Sequence, residues 1–251
     1  MRCDAFLFNG EWEVLTLRLA TLAPVIDRFV LVESDRTFRG TPKPLHYAAH
    51  GNRLGAWRDR ITYVPLTSEP LGLDAYFARE TWQRAQIARG LQELPDDAEV
   101  WIGDVDEIPD PAIPLPRMHT SRQTLYYYDA RTVCTSRRWL GTVAATVADV
   151  RQHSADGIRR LRADIPTVDG GWHFSHTGGV DAVHAKLRAG SHSEHDTPEA
   201  HATVADRMST GTDLFDRDAF TWQRGALGDD LPYPLRDTPQ HWPGLTEGRW
   251  T

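Results

Sequence analysis

The first 33 residues restrict the fold most. Residues 3–8, CDAFLF, form a short apolar run that ends in the turn pair Asn9-Gly10. From Glu11 the spacing changes: Trp12, Leu15, Leu19 and Leu22 recur three or four apart, as on one stripe of a helix, and Pro24 closes it. Residues 28–33, RFVLVE, are again nearly all apolar, the pattern of a strand buried on both faces of a parallel sheet. Strand, helix, strand in that order is a βαβ unit, and a chain that begins with one is expected to be an α/β protein. The expected architecture is a doubly wound, mostly parallel central sheet with flanking helices. The 251 residues suffice for one large domain.

The second informative stretch is EVWIGDVDEIPD, residues 99–110. Val100, Trp101 and Ile102 lie between turn signals and read as a buried strand. Asp104, Asp106 and Glu107 crowd the place where it ends. Alternation along an extended chain puts Asp104 and Asp106 on one side. Two carboxylates so placed can share a hard divalent cation, which accepts oxygen ligands and leaves positions open for substrate phosphates. The carboxyl ends of strands are also where ligands sit in open α/β sheets. The plain alternative is an acidic surface turn.

Other polar stretches have the same two readings. After the strand at 28–33 come Glu33, Arg36 and Lys43, in a loop that is either solvated or holds part of a nucleotide. In the second case Arg36 and Lys43 would neutralise phosphate and Glu33 would accept hydrogen bonds from hydroxyls or a base. Residues 78–94 read as one helix with Trp82, Ala85, Ala88 and Leu91 in a stripe. Arg79, Glu80 and Arg84 lie on its other faces, with Glu80 and Arg84 spaced to pair. Residues 45–47 and 61–64 are weaker strand candidates, 123–128 and 141–150 read as strands, and 158–165 is ambiguous. In GGWHFSHTGGV, residues 170–180, paired glycines flank a Trp-His-Phe core and allow close backbone approach to a ligand. His173 or His176 there is a structural histidine, a metal ligand or a proton carrier. Residues 180–188 read as a helix with Asp181 in its first turn, where the helix dipole favours a carboxylate. Ser191 to Asp196 is dense in titratable groups, His192 and Glu194 among them.

The net charge of −7, from 28 basic and 35 acidic residues, argues against a nucleic-acid or anionic-membrane partner. The two cysteines, Cys3 and Cys134, are far apart and read as core residues, without a disulfide framework. No segment approaches the length of a membrane span, and the expectation is a cytoplasmic protein. From about Thr210 the chain is rich in Gly, Pro and Trp. The expected division is therefore a domain over 1–215 with an irregular tail, 216–251, packed on it.

Several stretches together resemble glycosyltransferase family 17, whose eukaryotic members are the β-1,4-N-acetylglucosaminyltransferases that add the bisecting residue to N-glycans. They are FLFNGEWEVLTLRL, VLVESDRTFRGTPKPL, RETWQRAQIARGL, IGDVDEIP, GGWHFSHTGGVDAVHAKL and DRMSTGTDLF, in the family's order over residues 3–215. The resemblance implies a GT-A fold, a UDP-sugar donor, a divalent metal (Mn²⁺ or Mg²⁺), a glycan or small-molecule acceptor and inversion at the anomeric carbon. It makes Asp106 a metal ligand and Asp104 a ligand of the metal or of the donor ribose. Glu33, Arg36, Lys43, Arg79 and Arg84 become candidates for holding base and pyrophosphate. His173 is the first candidate for a late-chain metal ligand and His192 the second. Asp181 is the candidate general base with Glu194 as the alternative, while Glu107 would sit among the metal ligands. Two other functions remain open at this point: a nucleotidyltransferase or phosphohydrolase using the same carboxylates, and a nucleotide-sugar-binding domain without catalysis.

Overall fold

The computed structural model describes residues 1–75 and 77–246. The strands are β1 (Arg2–Leu7), β2 (Arg28–Ser34), β3 (Ile61–Leu66), β4 (Glu99–Asp104), β5 (Glu107–Ile108), β6 (His119–Tyr127), β7 (Asp129–Cys134), β8 (Trp139–Thr146), β9 (Thr167–Ser175) and β10 (Trp222–Arg224). The α-helices are α1 (Trp12–Leu22), α2 (His46–His50), α3 (Ala78–Ala85), α4 (Ile87–Gly90), α5 (Val147–His153), α6 (Ala155–Arg160), α7 (Val180–Ala189), α8 (Pro198–Thr210), α9 (Tyr233–Asp237) and α10 (Pro243–Thr246). The sheet runs β10-β7-β6-β8-β4-β1-β2-β3, with β9 alongside β6 and β5 paired to β9. Its half β4-β1-β2-β3 is parallel, as the opening βαβ unit requires. Beyond β4, the ladders β4–β8, β8–β6 and β6–β7 are antiparallel, while β9 runs parallel to β6.

Period two distributes the strand side chains between two cores. Phe6 of β1 and Trp101 of β4 face α1, where Leu15, Leu19 and Leu22 complete the stripe seen in the sequence. Ala5, Leu7, Val100 and Ile102 point the other way, toward Ile87 of α4, Val150 of α5 and Ile158 of α6. A third, smaller cluster joins α7 and α8 through Val183, Leu187, Val204 and Met208 to Tyr127 and Tyr128. Trp242 and Leu245 pack into the first core, and β10 pairs with β7, so residues beyond 215 contribute to both core and sheet. Residues 247–251 of the expected tail lie outside the described residues. Cys3 and Cys134 are buried free thiols.

Three elements differ from the sequence expectation. Residues 45–47 were expected to be extended, but α2 begins at His46. The carboxylate of Glu33 accepts from the backbone N–H groups of His46 (2.5 Å) and Tyr47 (3.0 Å), capping a helix from a strand far away in sequence. The expected helix over 78–94 breaks at Gln86 into α3 and α4. Gly90 closes α4 tightly against β2: a Cβ there would stand 2.4 Å from Val30 Cγ1. The expected strand over 141–150 turns into α5 after Thr146. Thr146 accepts from the Asp149 N–H (3.2 Å) while Asp149 accepts from the Thr146 N–H (2.8 Å), a capping box inside an apolar run.

Removing that cap by Thr146→Ala is expected to lower stability by about 1 kcal/mol. Denaturant titration, or a fall in Tm of about 2–4 °C, checks it.

Candidate active site

The acidic turn at the end of β4 is held from beneath by one buried ion pair. Asp4 of β1 and Arg18 of α1 are fully buried, bonded at 2.6 and 2.7 Å. The remaining Arg18 nitrogen donates to the carbonyls of Asp104 (2.9 Å) and Glu107 (2.7 Å). Glu107 closes the turn from above: its carboxylate accepts from the Asp104 N–H at 3.0 Å, from Trp139 Nε1 at 2.7 Å and from Arg159. Glu107 is thus a buried brace. It does not line the cleft, contrary to the expectation that it sits among the metal ligands.

Asp104 and Asp106 line a cleft of about 570 Å³ at the carboxyl end of the parallel strands. Burial pushes both carboxyl groups up, and neighbouring cations more than reverse it, leaving both well below the usual carboxylate range. For Asp104 the cations are Arg84 and Arg159; for Asp106 the cation is Lys186, aided by the nearby His173 ring. Both are therefore ionised at neutral pH. Asp104 is bonded to Arg84 at 3.0 Å and lies 3.5 Å from Arg159. Asp106 Oδ2 accepts from Lys186 Nζ at 2.8 Å and lies 3.5 Å from His173 Nε2. β9 sets this histidine: His173 is opposite Glu107 in the β5–β9 ladder, and the Phe174 N–H bonds the Asp106 carbonyl at 2.9 Å. The His173 Nδ1 is buried without a hydrogen-bond partner. Asp104, Asp106 and His173 all line this cleft, and carboxylate oxygens with an imidazole nitrogen are donors of the kind a divalent Mn²⁺ or Mg²⁺ accepts.

The structure separates the other sequence candidates. Arg36, Lys43 and His192 line the cleft. Glu33 is buried, committed to the α2 amides, to Tyr63 Oη (3.0 Å) and to Lys43 (3.6 Å). Arg79 lies beneath the Gly40 turn, bound to Glu69 and Asp74. Arg84 is shared among Glu80, Asp104 and Asp156, and it meets the cleft through Glu80 and Asp104, which line it. Asp181 is exposed on the first turn of α7 and does not line the cleft. Glu194 lies at the rim with His192 and His195, where one ligand atom of each falls within 4.8 Å of the others. The glycines of GGWHF approach protein instead of ligand: a Cβ on Gly171, at φ +101°, would stand 2.4 Å from the Ile108 carbonyl oxygen.

Several cleft residues escaped the sequence reading of the site, among them Glu11, Trp139, Arg162, Lys186 and Arg217. Lys186 had a legible signal, being a cation on α7 between the buried apolar positions Val183 and Leu187. Arg162 lay in the ambiguous stretch; it stacks over Trp139 at 5.6 Å and has no carboxylate within 4.0 Å among the described residues. His176, read in the sequence as a structural histidine, a metal ligand or a proton carrier, lines the cleft in a left-handed backbone conformation (φ 56°) between Tyr127 and Phe215. Burial and then the charge of Lys186 push its pKa well below the ordinary value, so the imidazole is neutral.

This fold and site accompany membership in a known family. Glycosyltransferase family 17 matches residues 2–225, and the chain belongs to that family. It is 32% identical over 114 residues to the β-1,4-mannosyl-glycoprotein 4-β-N-acetylglucosaminyltransferases of Rattus norvegicus and Homo sapiens. Those matches cover 42% of this chain and 21% of each relative, so the chain spans about a fifth of their length. Among solved structures it is similar to the galactosyltransferase LgtC in complex with donor and acceptor sugar analogs, at 13% identity and a TM-score of 0.37, over 97% of this chain and 96% of that one. It is also similar to the apo WbbM bifunctional glycosyltransferase, at 12% identity and a TM-score of 0.33, over 64% and 34%. Among the described residues no helix is long and apolar enough to cross a membrane.

Two outcomes are expected. Asp4→Asn leaves Arg18 buried without its charge partner and should cost about 3–5 kcal/mol in denaturant unfolding. His176 is neutral in the fold and protonates more readily when unfolded, so the unfolded state binds more protons below the ordinary histidine pKa and stability falls with pH there. His176→Asn, chosen because asparagine tolerates a left-handed backbone, should flatten the fall in Tm on acidification below about pH 6.5.

Proposed function

We propose that this chain is a metal-dependent, inverting glycosyltransferase that moves a sugar, N-acetylglucosamine, from a UDP-sugar to a hydroxyl of a glycan or smaller acceptor, forming a β-linkage. The supporting observation is the ionised pair Asp104 and Asp106, facing a cleft at the carboxyl end of parallel strands in a chain of this family. Asp106, with Asp104 and His173, would hold the divalent cation, which supplies neutralisation of the diphosphate leaving group. The nucleotide belongs beside the parallel half, near Asn9, Glu11, Phe38 and Lys43, all of which line the cleft. Arg162, without a carboxylate partner, is assigned to the diphosphate.

The acceptor is assigned to the aromatic part of the lining, where Trp139, Phe215 and Phe220 contribute apolar surface of the kind sugars pack against. In the transfer the acceptor oxygen bonds to the anomeric carbon on the face opposite the departing UDP, and the hydroxyl proton must leave. His176, a neutral imidazole that also lines the cleft, is assigned to take it. Asp181 is exposed and does not line the cleft.

Calorimetric titration of UDP and UDP-N-acetylglucosamine, with Mn²⁺ and again with chelator, tests the donor site. Wild-type protein should bind in a metal-dependent way and Asp106→Asn should not; metal-independent binding by both would overturn the metal site. Once an acceptor is found, His176→Asn should retain UDP binding and lose about 10²–10⁴-fold in turnover. Asp181→Asn should turn over normally. Release of free sugar from the donor whatever acceptor is offered would mark a hydrolase.

A further inference from the structure

Lys186 is the unexpected member of the site. It lies on α7 between the buried Val183 and Leu187, so packing of the helix fixes where its stem begins. Its ammonium bonds Asp106 Oδ2 at 2.8 Å, the same oxygen that His173 Nε2 faces at 3.5 Å. A lysine thus engages the very oxygen that would bind a cation. An ammonium and a divalent ion on a single carboxylate oxygen would repel each other strongly at this separation, so the two are alternatives. The Asp106 side chain is 10% exposed and that of Lys186 is 40% exposed, which leaves the lysine free to move and the aspartate not.

We infer that Lys186 is a built-in cation that holds Asp106 in the donor-free protein, yields it to the arriving metal, and then pairs with the donor's diphosphate. This rests on the donor-site reading above. Its consequence is thermodynamic. A metal arriving alone must displace the ammonium from its one ion pair within 4.0 Å among the described residues, leaving it only the more distant charges of Glu11 and Asp104. A metal arriving with a nucleotide diphosphate gives the displaced ammonium a partner in the same cleft. Metal and nucleotide therefore bind cooperatively, and by linkage each tightens the other by the same factor. Lys186 is a positioning residue in this account: it orders the binding of the donor and does not touch the hydroxyl proton.

The test is binding, read without turnover. Mn²⁺ is titrated into the full chain, followed by calorimetry or by the paramagnetic resonance of the free ion, without and then with saturating UDP. Wild-type protein should bind Mn²⁺ weakly alone and about tenfold more tightly with UDP. Lys186→Met keeps the stem and loses the charge. It should bind Mn²⁺ alone about tenfold more tightly than wild type, and UDP should add little. Lys186→Arg, which keeps the charge, should resemble wild type, and the three melting curves confirm folding. Equal Mn²⁺ affinity in wild type and Lys186→Met overturns the inference, as does the absence of Mn²⁺ binding in both. If Lys186→Met gains Mn²⁺ affinity but no protein binds UDP at any metal concentration, the displacement stands and the donor reading falls.

Discussion

The active cleft depends on a pair of charges that never meets solvent. Asp4 and Arg18 are joined by two hydrogen bonds beneath the sheet edge, and Arg18 spends its remaining donors on the carbonyls of Asp104 and Glu107. An isolated guanidinium in that place would be prohibitively costly; with each of its three nitrogens hydrogen-bonded it becomes a rigid peg. The loop that follows β4 therefore has a defined conformation before any ligand arrives. Glu107 completes the clamp, since its carboxylate bonds the Asp104 N–H and its carbonyl accepts from both Arg18 and Thr142 Oγ1 (2.8 Å).

Above this clamp the cleft is an array of matched charges. Asp104 is answered by Arg84 and Arg159, Asp106 by Lys186. The difference between the two answers matters. Arg84 and Arg159 are buried and tied to further carboxylates, Asp156 and Glu107, so the cations of Asp104 stay in place. Lys186 is half-exposed and, among the described residues, has one ion pair within 4.0 Å, with Glu11 farther off, so the cation of Asp106 can leave. One aspartate is thereby a fixed feature of the wall and the other an exchangeable cation seat. The aromatic part of the lining contrasts with this: Tyr127 stacks on Trp222 at 4.5 Å, and His195 on Phe215 at 4.0 Å, building flat apolar surfaces beside the charges.

Much of the framework was legible because it is local. The strand at β1, the stripe of α1 and the apolar run of β2 follow from spacing within a few residues, and they imply the parallel half of the sheet. The expected α/β class agrees with the sheet observed. Misreadings fell where a distant partner decides. Residues 45–47 became the approach to a helix because Glu33 caps it, and the apolar run at 141–150 was split by a capping box whose Thr and Asp sit among alanines and valines. Glu33, Arg79 and Arg84 are legible in the sequence only as charges in a loop or on a helix face; the fold gives Glu33 two backbone amides, a phenol and an ammonium, and gives both arginines carboxylates.

The sequence by itself determined the α/β class and the acidic turn at the end of a buried strand. It also determined that a histidine would follow paired glycines late in the chain. Each is a pattern of near neighbours, and near neighbours are what periodicity and turn chemistry report. Only the tertiary structure decided which charges meet. Lys186 reaches Asp106 across 80 positions, Arg159 reaches Glu107 across 52, and Arg18 reaches the acidic turn across 86 to 89. The reason is physical: an ion pair is set by distance in space and by the dielectric around it, and both come into existence only when the sheet and helices have packed.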